Sequence, residues 1–327
     1  MLQRHLIAHC ARAVLGLAVA AMAANAMAQS YPTRNVRMVV PFSPGGGSDL
    51  HARTLANALS KIWNRSVVVQ NMGGAGGGVG AAHVAKSTPD GYTIFFATHP
   101  ILAINPELYK TLPYDPDKDF APVTKLGETA LMLMVSTSAS FNSVPELIKL
   151  AKDKPNTLNF GSGGPGTTQH LSAELFQYMA DIALVHVPFK GGALATAALM
   201  GGEIHLQFNS AYPGMMSMKT GKLRGIAVTS RNRLPVAPDI PTMSEFLKGY
   251  ESVLGYGILV PAATPTDIVA VLNRDINKVL SDPAYEKEMA NRATYLDGGT
   301  PEQFRSWLAA ERKKWGDLIR RLDLKLG

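Results

Sequence analysis

Two glycine-rich segments lie where an apolar strand runs into a helix, and both carry the residue types of an anion-binding turn. The first is PFSPGGGSD over residues 41–49, and the second is FGSGGPGTTQH over residues 160–170. Glycines let backbone N–H groups approach a ligand, and a helix N-terminus adds unpaired donors with partial positive charge. The pattern predicts a cradle for a carboxylate or phosphate that needs no cationic side chain. The alternative for the first segment is a tight turn with Ser48 or Asp49 as helix cap.

Two further glycine patterns match nucleotide-binding motifs only in part. Gly161, Gly163 and Gly166 have the spacing of the dinucleotide fingerprint. The acid that binds ribose should end the next strand, where this chain has PFK over residues 188–190. The run GGAGGGVG over residues 73–80 lacks the Lys-Ser/Thr of a phosphate-binding loop. A close-packed loop and a ligand contact are equally good interpretations of that run, and we expect no cofactor.

The sequence patterns of hydrolases and metal sites are missing. Neither G-x-S-x-G nor H-E-x-x-H occurs, and the histidines after residue 28 lack the clustered spacing of a metal site. His99 and His170 stay candidates for ligand contact, because one follows a strand and the other opens a helix. We expect no metal and no catalytic residue. An exported enzyme that uses Ser162, His99 and His170 is the alternative.

Composition argues against several protein classes. The chain has 327 residues, of which 46% are hydrophobic and 17% charged, with a net charge of +7. Disordered chains lack this much apolar material. The basic residues lie on predicted helices with acids nearby, and they form no basic stripe with interleaved aromatics. We therefore expect no nucleic-acid partner.

Residues 1–28 have the pattern of a signal peptide. Arg4 and Arg12 precede an apolar run over residues 13–24, and Ala26-Met27-Ala28 offers a small-x-small cleavage site before Gln29. The run is shorter than the ~20 apolar residues of a membrane span. Cleavage would remove the single cysteine and two positive charges. We expect an exported, soluble and unanchored protein; an uncleaved anchor is the alternative.

The rest of the chain alternates between strand-like and helix-like segments, which predicts an α/β fold. Capping-box spacing marks three helix starts, at residues 143–146, 264–267 and 300–303. A Pro/Asp-rich stretch over residues 105–122 is expected to be a loop before a strand at 131–137. With no flexible linker in the sequence, two domains would be joined by ordered segments near 123–135 and 253–260.

The order of motifs resembles the Bug-type receptors, which are extracytoplasmic solute-binding proteins of the tripartite tricarboxylate transporter (TctC) family. The resemblance rests on VVPFSPGGGSD (39–49), PDGY (89–92), LPYD (112–115), GTTQHL (166–171), HVPFKG (186–191) and PDIPT (238–242), and it covers residues 29–327. It implies a type II, Venus-flytrap periplasmic binding protein, in which two crossover strands join two α/β domains. The implied domains are residues 29–125 with 254–327, and residues 126–253.

The resemblance also implies a ligand site between the domains, without catalytic residue, cofactor or metal. The residues carried over by position are Phe42, Pro44, Gly45, Gly46, Ser48, Asp49, Thr98, His99, Ser162, Gly163, Thr167, Thr168, Gln169, His170, Pro188, Phe189 and Asn209. Family members often carry Asp at the position of Asn209, and Gly or Asn at that of His99. A neutral Asn209 and a protonated His99 would favour a more anionic or an aromatic ligand.

The implied function is a monomeric periplasmic receptor. It would bind a small carboxylate, such as a dicarboxylate, an acidic amino acid or an aromatic acid, and deliver it to membrane transporter subunits. The alternative is a periplasmic partner that presents its ligand to a membrane sensor kinase. The sequence does not separate these two roles.

Overall fold

The computed structural model describes residues 31–321 and 323–324. The signal peptide predicted over residues 1–28 lies outside this part of the chain. Across the described residues, no helix is both long and apolar enough to cross a membrane.

The first lobe is built on three parallel strands. Its elements from the N-terminal part are β1 (Val36–Val40), α1 (Gly47–Trp63), β2 (Val67–Asn71), α2 (Gly78–Ala85), β3 (Thr93–Thr98) and α3 (Asn105–Leu108). Strand β1 lies between β2 and β3. Leu55 and Leu59, one helical turn apart on α1, are buried in the same cluster as Met38 and Val40 of β1.

The second lobe repeats the strand–helix alternation. Its elements are α4 (Val144–Asp153), β5 (Asn159–Ser162), α5 (Thr168–Ala180), β6 (Val185–Pro188), α6 (Gly192–Gly201), β7 (Leu206–Ser210), α7 (Ala211–Met218) and β8 (Leu223–Val228). Strand β5 is parallel to both β6 and β7. Helices α6 and α7 follow directly on β6 and β7, and their apolar composition fits packing against the sheet.

Two strands connect the lobes. They are β4 (Phe120–Ser136) and β9 (Val253–Pro261). Up to Ala130, β4 pairs with β9; from Leu131 onward it pairs with β7 and β8. The strands form one mixed sheet whose main order is β2-β1-β3-β9-β4-β7-β5-β6. The α/β fold with two crossover strands is confirmed, and β4 is longer than predicted because its pairing continues past Pro122 through register shifts.

The C-terminal segment returns to the first lobe. It forms α8 (Thr266–Leu280), α9 (Pro283–Ala290), β10 (Thr294–Leu296) and α10 (Pro301–Arg321). Thr300 and Gln303 form the predicted capping box at the start of α10. The start predicted at Thr264 is wrong, because the Thr264 hydroxyl donates to Pro261 O and α8 begins at Thr266 without a side-chain cap.

Helix α10 packs on a face of β9 where two glycines, Gly255 and Gly257, present no side chains. A Cβ at Gly255 would clash with the Trp307 ring, and one at Gly257 would clash with the buried Phe304 ring. Lys125 of β4 lies 4.2 Å from the centroid of the Trp307 ring. These two glycines therefore let the helix approach the crossover strands closely.

His99 lies in the same interface, on the face of the sheet that carries α10. Its Nδ1 accepts a hydrogen bond from Gly255 N at 3.0 Å, and its Nε2 lies 3.6 Å from Glu311 Oε2. Burial lowers the pKa of His99 to about 3, with help from the positive charges of Lys314 and Lys125. The expectation of a protonated His99 beside a ligand is therefore wrong: the ring is neutral near pH 7.

We predict that Gly257→Ala lowers the free energy of unfolding by about 1–3 kcal/mol, because the added methyl group overpacks the Phe304 site. Chemical denaturation of the purified protein measures this change. Gly201→Ala is the matched control, since Gly201 ends α6 on the surface and its Cβ would meet only Glu203 Oε1 at 3.6 Å. Equal stability of both variants would contradict the close packing of α10 on β9.

The pKa of His99 predicts a loss of stability in mild acid. Below the ordinary pKa of 6.5 the unfolded chain takes up a proton at His99, whereas the folded protein does so only near pH 3. The stabilisation is complete above pH 6.5 and falls as the pH drops, by about 2 kcal/mol between pH 7 and pH 5. His99→Gln should reduce the stability difference between these pH values by that amount, as measured by chemical denaturation. His205→Gln, at an exposed histidine, controls for the loss of a ring and should leave the difference intact.

Candidate functional site

The first glycine-rich turn is held by Asp49. Its carboxylate accepts hydrogen bonds from Gly45 N at 2.9 Å, Arg53 Nε at 3.0 Å and Asn71 Nδ2 at 2.9 Å. Burial opposes ionisation of Asp49, but these bonds outweigh it and lower the pKa. Gly45 has a φ of +79°, a conformation that favours glycine. The side chain of Asp49 thus fixes the turn that precedes α1, but the expectation that Ser48 or Asp49 caps the helix is wrong, because the N-cap is Gly46 and no side chain caps it.

The second turn is held by hydroxyl groups. Thr167 is the N-cap of α5: its Oγ1 accepts from His170 N at 3.4 Å and donates to Gly164 O at 2.7 Å. Ser162 Oγ accepts from Gly164 N at 3.0 Å. Gly164 and Gly166 have positive φ values. The side chains of both turns are therefore engaged in shaping the backbone, and this leaves the N-terminal amides of α1 and α5 to face outward.

The two turns meet across the cleft between the lobes. Tyr109 OH, in the first lobe, donates to Pro165 O of the second turn at 3.1 Å. A Cβ at Gly47 would clash with the Ser210 side chain, and one at Gly191 would clash with Ser43. The lobes are in a closed arrangement, which brings the starts of α1 and α5 to opposite sides of one cavity.

This cavity has a volume of about 40 Å³. It is lined by eight of the predicted site residues and by four others. The predicted residues are Phe42, Gly46, Ser48, Thr98, Gly163, Thr167, Thr168 and Gln169; the others are Gly47, Gly192, Ser210 and Leu254. Both glycine-rich segments contribute, as the sequence predicted. No lysine, arginine, aspartate or glutamate is among these lining residues.

Three buried polar atoms at the cavity wall have no hydrogen-bond partner among the described residues. They are Thr98 Oγ1 at the end of β3, Thr168 Oγ1 at the start of α5, and Gln169 Oε1 beside it. Both threonines are 1% exposed. A buried polar group without a partner costs free energy, so these atoms point to a ligand that completes their hydrogen bonds. The two hydroxyls come from opposite lobes.

Other predicted site residues lie behind the cavity wall. Pro44 and Gly45 belong to the first turn, and Asp49 bonds within it. Pro188 ends β6 and Phe189 follows it, and Phe189 N donates to Ser162 O at 3.0 Å. Asn209 accepts from Gln169 and does not line the cavity itself. These residues position the lining residues.

Ser162 and His170 belong to a stacked cluster beneath the second turn. The rings of His170 and His186 stack with centroids 4.2 Å apart, and His186 stacks on Phe160 at 4.8 Å. His186 Nε2 lies 2.7 Å from Ser162 Oγ, while His170 Nδ1 accepts from Gly166 N at 3.2 Å. Burial, and secondarily His170, lowers the pKa of His186 to about 3. The cluster therefore supports the turn with a neutral His186.

Two further observations narrow the search for a site. Within residues 31–321 and 323–324, no group of three or more His, Cys, Asp or Glu side chains could hold a metal ion. A larger groove of about 550 Å³ lies beside α10. Of its four cations, Arg312 and Arg320 are paired with Asp117 and Glu107, and Lys313 is paired with Asp317. The cleft cavity is thus the better candidate, because its polar atoms lack partners.

The four lining residues that the prediction missed come from elements outside the glycine-rich segments, except Gly47. Ser210 ends β7, Gly192 begins α6, and Leu254 lies on β9. The strand–helix junctions at Ser210 and Gly192 repeat the pattern of the two turns. That repetition was a usable signal in the sequence.

Comparison with known proteins agrees with this geometry. The family model described as tripartite tricarboxylate transporter family receptor (TctC) matches residues 51–324. A Rhodopseudomonas palustris protein solved with adipate is 33% identical, with a TM-score of 0.88, and the match covers 90% of this chain and 99% of that one. The periplasmic binding protein BugD is 30% identical, with a TM-score of 0.86, over 90% and 99%.

A third solved structure is MatC from Rhodopseudomonas palustris with bound malate. It is 27% identical, with a TM-score of 0.83, and the match covers 88% of this chain and all of that one. The family match spans most of the chain. The chain therefore belongs to the tripartite tricarboxylate transporter receptor (TctC/Bug) family of periplasmic solute-binding receptors.

Proposed function

We propose that this protein binds a small carboxylate in the cavity between its lobes. One observation carries the proposal: Thr98 and Thr168, from opposite lobes, present buried hydroxyls without acceptors to the cavity at which α1 and α5 begin. Helix N-termini favour anions, and a carboxylate supplies the acceptors that both hydroxyls lack. The similar proteins solved with adipate and malate support this ligand class.

The charge around the cavity also supports a carboxylate. Asp49, the acid nearest to the first turn in sequence, is neutralised by Arg53 and three hydrogen bonds within its own lobe. A neutral Asn209 stands behind Gln169. An anion in the cavity therefore meets amide and hydroxyl donors without a facing carboxylate, while the small volume favours a ligand of few atoms.

Closure of the lobes would depend on the ligand. The proposed domains are residues 29–125 with 254–327, and residues 126–253, and only the closed arrangement brings Thr98 and Thr168 to one cavity. A ligand that contacts both lobes binds the closed state more tightly and shifts the population towards it. We propose that this closed, liganded receptor is the monomeric species that membrane transporter subunits recognise.

Uptake measurements distinguish delivery to a transporter from presentation to a sensor kinase. Bacteria that lack this protein should lose uptake of the bound carboxylate if it serves a transporter. Normal uptake together with a lost transcriptional response would favour the sensory role. Neither role requires turnover, and the cluster of Ser162, His170 and His186 is engaged in holding the second turn.

We predict that Thr98→Val and Thr168→Val each weaken carboxylate binding by about tenfold or more, because each removes a hydroxyl bonded to a charged acceptor, worth about 1.5–3 kcal/mol. Calorimetric titration with adipate, malate and succinate measures the effect for whichever compound binds the unmodified protein most tightly. The substitutions are nearly isosteric, so the fold should persist.

Thr88→Val is the matched control, because Thr88 is an exposed residue far from the cavity. It should leave the affinity unchanged. Full affinity in both cleft variants would show that the cavity is not the binding site. Failure of the unmodified protein to bind any small carboxylate would overturn the proposed function.

A further inference from the structure

A chain of polar side chains behind the cavity fixes the orientation of the Asn209 amide. Asn209 Oδ1 accepts a hydrogen bond from Ser210 N at 2.9 Å, and Asn209 Nδ2 donates to Thr196 Oγ1 at 2.9 Å. Exchanging the oxygen and nitrogen of this amide would place its NH₂ group against the Ser210 N–H, two donors face to face. The backbone therefore determines which atom of Asn209 is the acceptor.

The far end of the chain is anchored as well. Thr196 Oγ1 lies 2.9 Å from both Gln207 Oε1 and Gly192 O, and Gln207 Nε2 donates to Gly192 O at 2.9 Å. Gln207 and Asn209 are on β7, whereas Thr196 and Gly192 are on α6. The chain thus ties a strand to a helix, and its groups have little freedom to reorient.

The orientation of Asn209 in turn fixes Gln169. Gln169 Nε2 donates to Asn209 Oδ1 at 3.0 Å. Rotating the Gln169 amide by half a turn would set its oxygen against the Asn209 oxygen, which is an unfavourable contact between two acceptors. Gln169 Nε2 must therefore face Asn209, and Gln169 Oε1 must be the amide atom that points away from it.

Gln169 Oε1 is an acceptor that receives no donor from the described residues. It is buried, it belongs to a residue of the cavity wall, and a Cβ at Gly163 would lie 3.0 Å from it. A carboxylate cannot satisfy this atom, because an ionised carboxylate is acceptor-only. A carboxylate oxygen placed here would face another oxygen without a proton between them.

We propose that the ligand is a small carboxylate that also carries a hydroxyl or amino group, and that this group donates a hydrogen bond to Gln169 Oε1. The proposal rests on the proposed carboxylate-binding function and narrows its ligand class. Thr98, Thr168 and the helix N-termini bind the acidic part, and Gln169 selects the substituent. Hydroxy acids and amino acids fit this pattern, and the corresponding unsubstituted acids leave Gln169 Oε1 unpaired.

Calorimetric titration with pairs of acids that differ by one hydroxyl tests the proposal. The pairs are propionate and lactate, succinate and malate, and glutarate and 2-hydroxyglutarate, with both enantiomers of each hydroxy acid. In the pair that binds most tightly, the unmodified protein should bind one enantiomer of the hydroxy acid about tenfold or more tightly than the plain acid. The plain acid leaves a buried acceptor without its hydrogen bond.

Gln169→Met tests which residue selects the substituent. It keeps the length of the side chain and removes the acceptor, so the preference within the pair should fall to about one, while affinity for the plain acid changes less than about threefold. Gln70→Met is the matched control, because Gln70 lies on β2 and outside the cavity wall; it should keep the preference. Thermal unfolding without ligand checks that both variants are folded.

The possible results separate the two proposals. Equal affinity within every pair would overturn the selection by Gln169 and leave carboxylate binding in place. A preference that persists in folded Gln169→Met would also overturn it, because another residue would then accept the bond. Failure of all six acids to bind would contradict the carboxylate function together with this inference. If Gln169→Met does not fold, the ratio in the unmodified protein still decides the ligand class.

Discussion

The central constraint on this structure is the convergence of two helix N-termini on one small, closed cavity. The amino ends of α1 and α5 carry partial positive charge and unpaired N–H donors, and they approach from opposite lobes. Burying such donors together is unfavourable unless an anion or water lies between them. The buried hydroxyls of Thr98 and Thr168, which have no partner among the described residues, likewise need a hydrogen-bond partner in the cavity. Closure of the lobes and occupancy of the cavity are therefore coupled by the hydrogen-bonding needs of the site, without any cationic side chain at its wall.

Each lobe positions its helix start with a separate set of buried groups. In the first lobe, Asp49 ties the turn to Arg53 and Asn71. In the second, Thr167 and the stacked His170 and His186 hold the turn from beneath. These groups bond to backbone atoms of the turns, so they set the direction of the amides without occupying the cavity. Such a division explains how polar groups can be dense around the site while no charged side chain is among the lining residues.

Much of the fold and of the candidate site follows from local sequence pattern. Strands β1, β3, β5 and β6, and the glycine-rich turns after β1 and β5, were predictable because each depends on residues close together in the chain. The family resemblance supplied the two-lobe arrangement. The pairing of β4 was only half predicted, because Pro122 and Gly127 interrupt its apolar pattern, and the strand continues through register shifts against β9. Hydrogen bonds with a partner strand, which the local pattern does not show, decide its true length.

Side-chain direction was harder to predict than position in the chain. Thr98 and His99 are neighbours in the chain, and both were expected at the ligand. Thr98 ends β3 and lines the cavity, whereas His99 has helical backbone angles, begins the helical turn that follows, and packs beneath α10. The local pattern does not show that the strand ends between these two residues. It shows still less about the amides of Asn209 and Gln169. Their roles depend on a hydrogen bond from Ser210 N that selects one of two nearly isosteric orientations of the Asn209 amide. The hydrogen bond between the two amides then fixes the orientation of Gln169. The sequence specifies which amides are present, but only the folded arrangement of β7 and α5 determines that the oxygen of Gln169, and not its nitrogen, is left without a partner at the cavity wall.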